Sequence, residues 1–136
     1  MKTVRQLLEE KGYEVWTISP EALVYDALKL MADKEVGALP VLDGEQLVGL
    51  ISERDYARKV ILKGKSSLET PVNEIMIRRV VCVGPEQTIE NCMALMTEEY
   101  IRHLPVLEDD RLAGIISIGD VVKGIISQQE FLIEQL

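Results

Sequence analysis

Leu39–Asp55 reads LPVLDGEQLVGLISERD, and Leu104–Asp120 reads LPVLEDDRLAGIISIGD. The register between the two stretches extends outward without a gap. Pro20-Glu21 falls on Pro85-Glu86, and Leu30-Met31 falls on Leu95-Met96. Over residues 15–62 against 80–127 there are 15 identities in 48 pairs, and most other pairs keep their polarity, such as Val24 with Ile89. Chance composition does not do this, so the chain carries an internal duplication. Two copies are too few for a solenoid. They are expected to face each other across a pseudo-twofold axis and to bury a shared core.

Each copy reads as β-α-β-β-α, which places the chain in the α/β (α+β) class. A short apolar strand comes first, Val15 to Ile18 and Val80 to Val83. Ser19-Pro20-Glu21 and Gly84-Pro85-Glu86 then look like helix starts, with Pro at the first helical position. Apolar spacing near 3.6 follows at Ala27, Leu28 and Met31 and at Cys92, Leu95 and Met96. Two strands come next, Leu39–Leu42 with Leu47–Ser52 and Leu104–Leu107 with Leu112–Ser117. Asp43-Gly44 and Asp109-Asp110 are the turns. Strands this apolar should be buried on both faces. Closing helices start at Ser52 and Ser117. The expected organisation is an N-terminal helix over 1–12, repeat 1 over 13–64, a linker over 65–79, and repeat 2 with a C-terminal helix over 80–136. The apolar residues of that last helix exceed what one small unit needs, so a homodimer contact is expected there.

Composition narrows the function. The 136 residues carry 15 Lys and Arg against 23 Asp and Glu, a net charge of −8. This lacks the broad positive field that non-specific nucleic-acid binding needs. One His and two Cys, with no CxxC, leave no zinc site of ordinary spacing. Cys82 and Cys92 read as reduced thiols, which suggests a cytoplasmic protein. No secretory h-region and no apolar run of membrane-spanning length is present. Gly64-Lys65-Ser66 resembles the end of a phosphate loop, but position 59 is Lys rather than the required Gly.

The chemistry concentrates where the closing strand meets the helix. Ser52-Glu53-Arg54-Asp55 and Ser117-Ile118-Gly119-Asp120 both have the Ser-x-x-Asp spacing. That spacing serves as a variant capping box. It also holds a carboxylate on a rigid turn, where it can accept two hydrogen bonds from a vicinal diol such as a ribose. Both readings stand. Arg102-His103 precedes the first hairpin strand of repeat 2, whereas Gly37-Ala38 holds the same columns in repeat 1. Arg54, Arg58, Lys59, Lys63, Lys65, Arg78 and Arg79 form a local basic set, which reads equally as a solvated face.

The two units resemble the paired repeats of CBS-domain proteins, the cystathionine-β-synthase-type repeats that form a Bateman module. The stretch ISERDYARKVILKGKSS, with RHLPV and ISIGDVV, resembles the small stand-alone CBS-pair proteins of bacteria and plant organelles. The resemblance spans about residues 13–130. It implies a non-catalytic regulatory sensor of adenosine compounds: AMP, ADP, ATP, NAD(H) or S-adenosylmethionine, bound in a cleft between the repeats. Carried over residue by residue, one site takes Ser52, Arg54 and Asp55 with Arg79, Val80, Val81, Ile101, Arg102 and His103. The other takes Ser117 and Asp120 with Thr17, Val36, Gly37 and Ala38. Gly37-Ala38 depart from the charged pair of repeat 2, so the Asp55 site is expected to be tighter for phosphorylated ligands. The resemblance also implies flat homodimers and a regulated partner protein that no motif names. The rival readings are a structural dimerisation module with vestigial sites and a small adenosine-directed enzyme.

Overall fold

A computed structural model describes residues 1–136. The chain divides into two units, one formed by Val15–Val80 and one by Met1–Glu14 with Val81–Leu136. The element order is α1 (Val4–Lys11), α2 (Val24–Lys34), β1 (Ala38–Asp43), β2 (Gln46–Ser52), α3 (Glu53–Tyr56), α4 (Ile89–Glu99), β3 (His103–Glu108), β4 (Arg111–Ser117) and α5 (Ile118–Gln135). A π-helical turn over Ala57–Ile61 continues α3, and Val72–Glu74 forms one 3-10 turn.

The Val15–Val80 unit is built on the β1–β2 hairpin. The strands pair antiparallel from Ala38↔Ser52 to Asp43↔Gln46, with a bulge between Val41 and Leu42. Leu39, Val41 and Ile51 are fully buried and meet Val24, Ala27 and Met31 of α2. Val72, Ile75 and Met76 close the same core, so this part of the expected linker packs as core. The other unit repeats the plan. β3 and β4 pair from His103↔Ser117 to Glu108↔Arg111, with the bulge between Val106 and Leu107. Here Val4, Leu7 and Leu8 of α1 close a core with Ile89, Cys92, Met96, Leu104, Val106 and Ile116.

The two closing segments are counterparts. Thr3 bridges Thr88 in one unit, and Pro71 bridges Leu23 in the other. Val4, Leu7 and Leu8 then correspond in spacing to Val72, Ile75 and Met76. Each presses on the same glycine of its hairpin. A Cβ on Gly114 would sit 2.9 Å from Leu8 Cδ2, and one on Gly49 would sit 2.5 Å from Met76 Sδ and 3.0 Å from the Ile77 carbonyl oxygen.

Two local expectations are corrected. Val15–Ile18 and Val80–Val83 are not full strands; each makes one parallel bridge, Ile18↔Val41 and Val83↔Val106. The helices also begin later than the Pro-Glu pairs suggest. Ala22 N donates to Ser19 O at 3.2 Å and Gln87 N to Gly84 O at 3.3 Å, so Pro20 and Pro85 sit in turns. The helix caps are Leu23 and Thr88. Leu23 offers no capping side chain. Its first-turn donors are met by backbone instead: Val24 N donates to Thr70 O at 2.9 Å and Tyr25 N to Ser67 O at 3.0 Å. Both helices end in left-handed residues that are not glycine, Glu35 (φ 56°) and Tyr100 (φ 55°).

Candidate functional site

Each hairpin delivers its last residue, a serine, to a helix start. Ser52 Oγ accepts from Asp55 N at 3.3 Å, and Asp55 Oδ2 accepts from Ser52 N at 2.9 Å and Ser52 Oγ at 3.0 Å. Ser117 Oγ accepts from Asp120 N at 3.2 Å, and Asp120 Oδ2 accepts from Ser117 N at 2.8 Å. Both turns are therefore capping boxes with Asp in the third position. The reciprocal bonds hold each carboxylate rigid, with little rotamer freedom left to it.

A lysine adds charge in both units. Lys11 Nζ, at the end of α1, lies 2.7 Å from Asp120 Oδ2 and donates to Ile115 O at 2.6 Å. Lys59 Nζ lies 3.2 Å from Asp55 Oδ1 and donates to Ile75 O at 2.9 Å. Burial pushes the Asp120 carboxyl upward, but the Lys11 ammonium and the Ser117 N–H outweigh it and hold Asp120 below the usual carboxylate range. The aspartates differ in access: the side chain of Asp55 is 7% exposed and that of Asp120 is 22% exposed.

Each expected grouping takes residues from both units. Ser52, Arg54, Asp55, Arg79 and Val80 lie in one unit, with Thr17, Val36, Gly37 and Ala38; Val81, Ile101, Arg102, His103, Ser117 and Asp120 lie in the other. Within a unit, the strand start adjoins the Ser-x-x-Asp turn of its own repeat. Ala38 pairs with Ser52, and Glu53 N donates to Gly37 O at 3.2 Å. His103 pairs with Ser117, and Ile118 N donates to Arg102 O at 2.9 Å. Arg54, Arg79 and Arg102 are exposed, while Ala38 is buried. Lys59 stands four residues after Asp55, a spacing that marks it in sequence. Lys11 was not among the expected site residues, because its partner is distant in the chain and no periodicity connects them.

The remaining reactive groups do not assemble into a second centre. No group of three or more His, Cys, Asp or Glu comes together as a metal cluster. Cys92 is buried, and burial pushes its thiol up to about 11; burial raises Cys82 as well. No helix is long and apolar enough to cross a membrane.

Comparison with known proteins agrees with this architecture. The CBS domain family matches residues 4–62 and 72–130, so each match begins at a closing segment, α1 or the Val72 turn. A mitochondrial CBS domain-containing protein of Arabidopsis thaliana, CBSX3, is 39% identical over 98% of this chain and 69% of its own length. A CBS-domain protein of Burkholderia ambifaria MC40-6 superposes with a TM-score of 0.90, at 50% identity over 94% of this chain and 96% of its own. A more distant CBS domain pair, 24% identical with a TM-score of 0.82 over 91% of this chain and 99% of its own, was solved in complex with methylthioadenosine and S-adenosylmethionine. The duplication, the two closing segments and the twice-built hairpin thus identify the chain as a member of the CBS-domain family, with two copies of the domain.

Proposed function

We propose that this chain is a regulatory module that binds adenosine compounds through Asp55 and Asp120, without catalysis, in a reducing, cytoplasmic setting. The observation that carries the reading is the twice-built Ser-x-x-Asp turn, which presents a rigid carboxylate at the same place in each repeat. A carboxylate accepts two O–H donors from the 2′- and 3′-hydroxyls of a ribose. Methylthioadenosine and S-adenosylmethionine, bound by the distant relative, share that ribose. Arg54, Arg79 and Arg102 are the cations offered to a phosphate. The ligand then regulates a partner only through its differential affinity for two states of the module.

A thermal-shift panel of adenosine, AMP, ADP, ATP, NAD, NADH and S-adenosylmethionine, with 2′-deoxyadenosine as control, tests the reading. A ligand at about 100 times its Kd adds about 2.7 kcal/mol of stability. We expect ribonucleosides to raise Tm and the deoxy control to do so far less. No shift with any purine ribonucleoside, on folded protein, would overturn the proposal.

A second reading, self-association through α5, is favoured by the exposed apolar side chains along it. Ile118, Val122, Ile126, Phe131, Leu132 and Ile133 are 37–69% exposed, more apolar surface than an unpartnered helix ordinarily shows. A homodimer is expected to cover it. Sedimentation of the parent beside a chain ending at Gln128 checks this. Keeping Gln128 preserves its bonds to Glu90 and Lys2, and loss of the dimer is the expected result.

A further inference from the structure

The structure puts a cation on each carboxylate, and the two cations have different origins. Lys59 reaches Asp55 from one turn along its own helix, while Lys11 reaches Asp120 from α1. In the duplication, Gly124 stands in the column of Lys59, so the two lysines are not copies of each other. Both ammonium groups nevertheless bridge an aspartate oxygen and a backbone carbonyl, Ile75 O in one unit and Ile115 O in the other. The chain has arrived twice at one arrangement from unrelated positions.

The two carboxylates are not equally buried. Asp55 gives one oxygen to Ser52 and the other to Lys59, and it is buried. Asp120 is more open, at 22% side-chain exposure, and the capping bond from Ser117 N shares Oδ2 with the Lys11 ammonium. A carboxylate has about four acceptor positions. With the Ser117 N–H already on Oδ2, the ammonium fills that oxygen and offsets the charge, so a hydroxyl pair that needs both oxygens must displace it. Lys11 stands at the C-terminal end of α1, immediately before Gly12, and its own side chain is no part of the core that Val4, Leu7 and Leu8 make. Its ammonium can therefore leave without opening that core.

We infer that Lys11 sets the affinity of the Asp120 position for a ribose diol: it occupies the carboxylate as an internal competitor, and the diol binds there by displacing it. This rests on the ribose reading of Asp120 given above. Because competition is for the carboxylate alone, it weakens neutral and phosphorylated ligands by the same factor, unlike a lysine that grips phosphate.

Calorimetric titration of the full chain with adenosine and with AMP tests this in the parent, Lys11→Met, Lys11→Arg, Asp120→Asn and the Lys11→Met/Asp120→Asn pair. Lys11→Met is expected to tighten both ligands about two- to fivefold, the range of a partly exposed ion pair. Lys11→Arg should stay near the parent, and the tightening should vanish in the Asp120→Asn background. If Asp120→Asn loses a binding event while Lys11→Met leaves adenosine unchanged, the competitor role is wrong and the ribose reading stands. If Lys11→Met weakens AMP and spares adenosine, Lys11 serves the phosphate and the inference is overturned. If Asp120→Asn binds adenosine like the parent, the ribose reading fails and takes the inference with it.

Discussion

Glu35 and Tyr100 occupy equivalent columns, and both end their helices in the left-handed region. A side chain there costs about 1–2 kcal/mol through the Cβ clash, against about 0.5–1 kcal/mol of chain entropy that glycine would forfeit. Glu35→Gly and Tyr100→Gly are therefore expected to stabilise the fold by up to about 1 kcal/mol each, read as a higher urea midpoint. Asp120 gives a pH signature. Its native carboxyl is held below the usual range, chiefly by Lys11 and Ser117 against the pull of burial. The unfolded chain then binds more protons in acid, so the contribution is present above the ordinary carboxylate pKa and is lost as pH falls through the depressed native value. Asp120→Asn should cost about 1 kcal/mol or less at pH 7. Its stability curve should converge with that of the parent once the pH has fallen below the depressed native value, where both side chains are neutral. Urea unfolding from pH 7 to pH 2 measures it. The pairs Ser52–Asp55 and Ser117–Asp120 were legible because a three-residue spacing is local. Lys11 was not, because nothing in sequence distinguishes it from the other lysines.

At the scale of elements, the hairpins were readable from their apolar runs and turns, but the bulge at the same place in each came only with the structure. What was not readable was the pressure on Gly49 and Gly114. Gly49→Ala meets the Ile77 backbone carbonyl as well as Met76 and is expected to cost about 1–3 kcal/mol. Gly114→Ala meets only the end of the Leu8 side chain, which can turn aside, so its cost should be smaller. Denaturant titration of both variants checks the order; equal losses would show that the carbonyl does not decide the cost. The helix starts were misplaced by a few residues for a related reason. A Pro after Ser is a good local start signal, but the first-turn donors of α2 find carbonyls of residues 67–70, and those are supplied only when the chain has folded.

For the whole molecule, α1 is the informative element. Val4, Leu7 and Leu8 are buried with residues 81–136 rather than with the repeat that follows them in sequence. Burying three such side chains contributes about 5–8 kcal/mol. A chain beginning at Val15 is thus expected to lose most of the cooperative unfolding of the Val81–Leu136 segment, visible as a missing transition by calorimetry while the Val15–Val80 unit persists. The sequence by itself determined the duplication, the strand-turn-strand plan and the two capped carboxylates, because each is written in residues within a few positions of one another. Only the tertiary structure decided which segment closes which core and which lysine meets which aspartate. Those pairings join residues up to 109 positions apart, and hydrophobic burial and charge pairing act on distance in space, for which sequence spacing is no guide once the chain has turned back on itself.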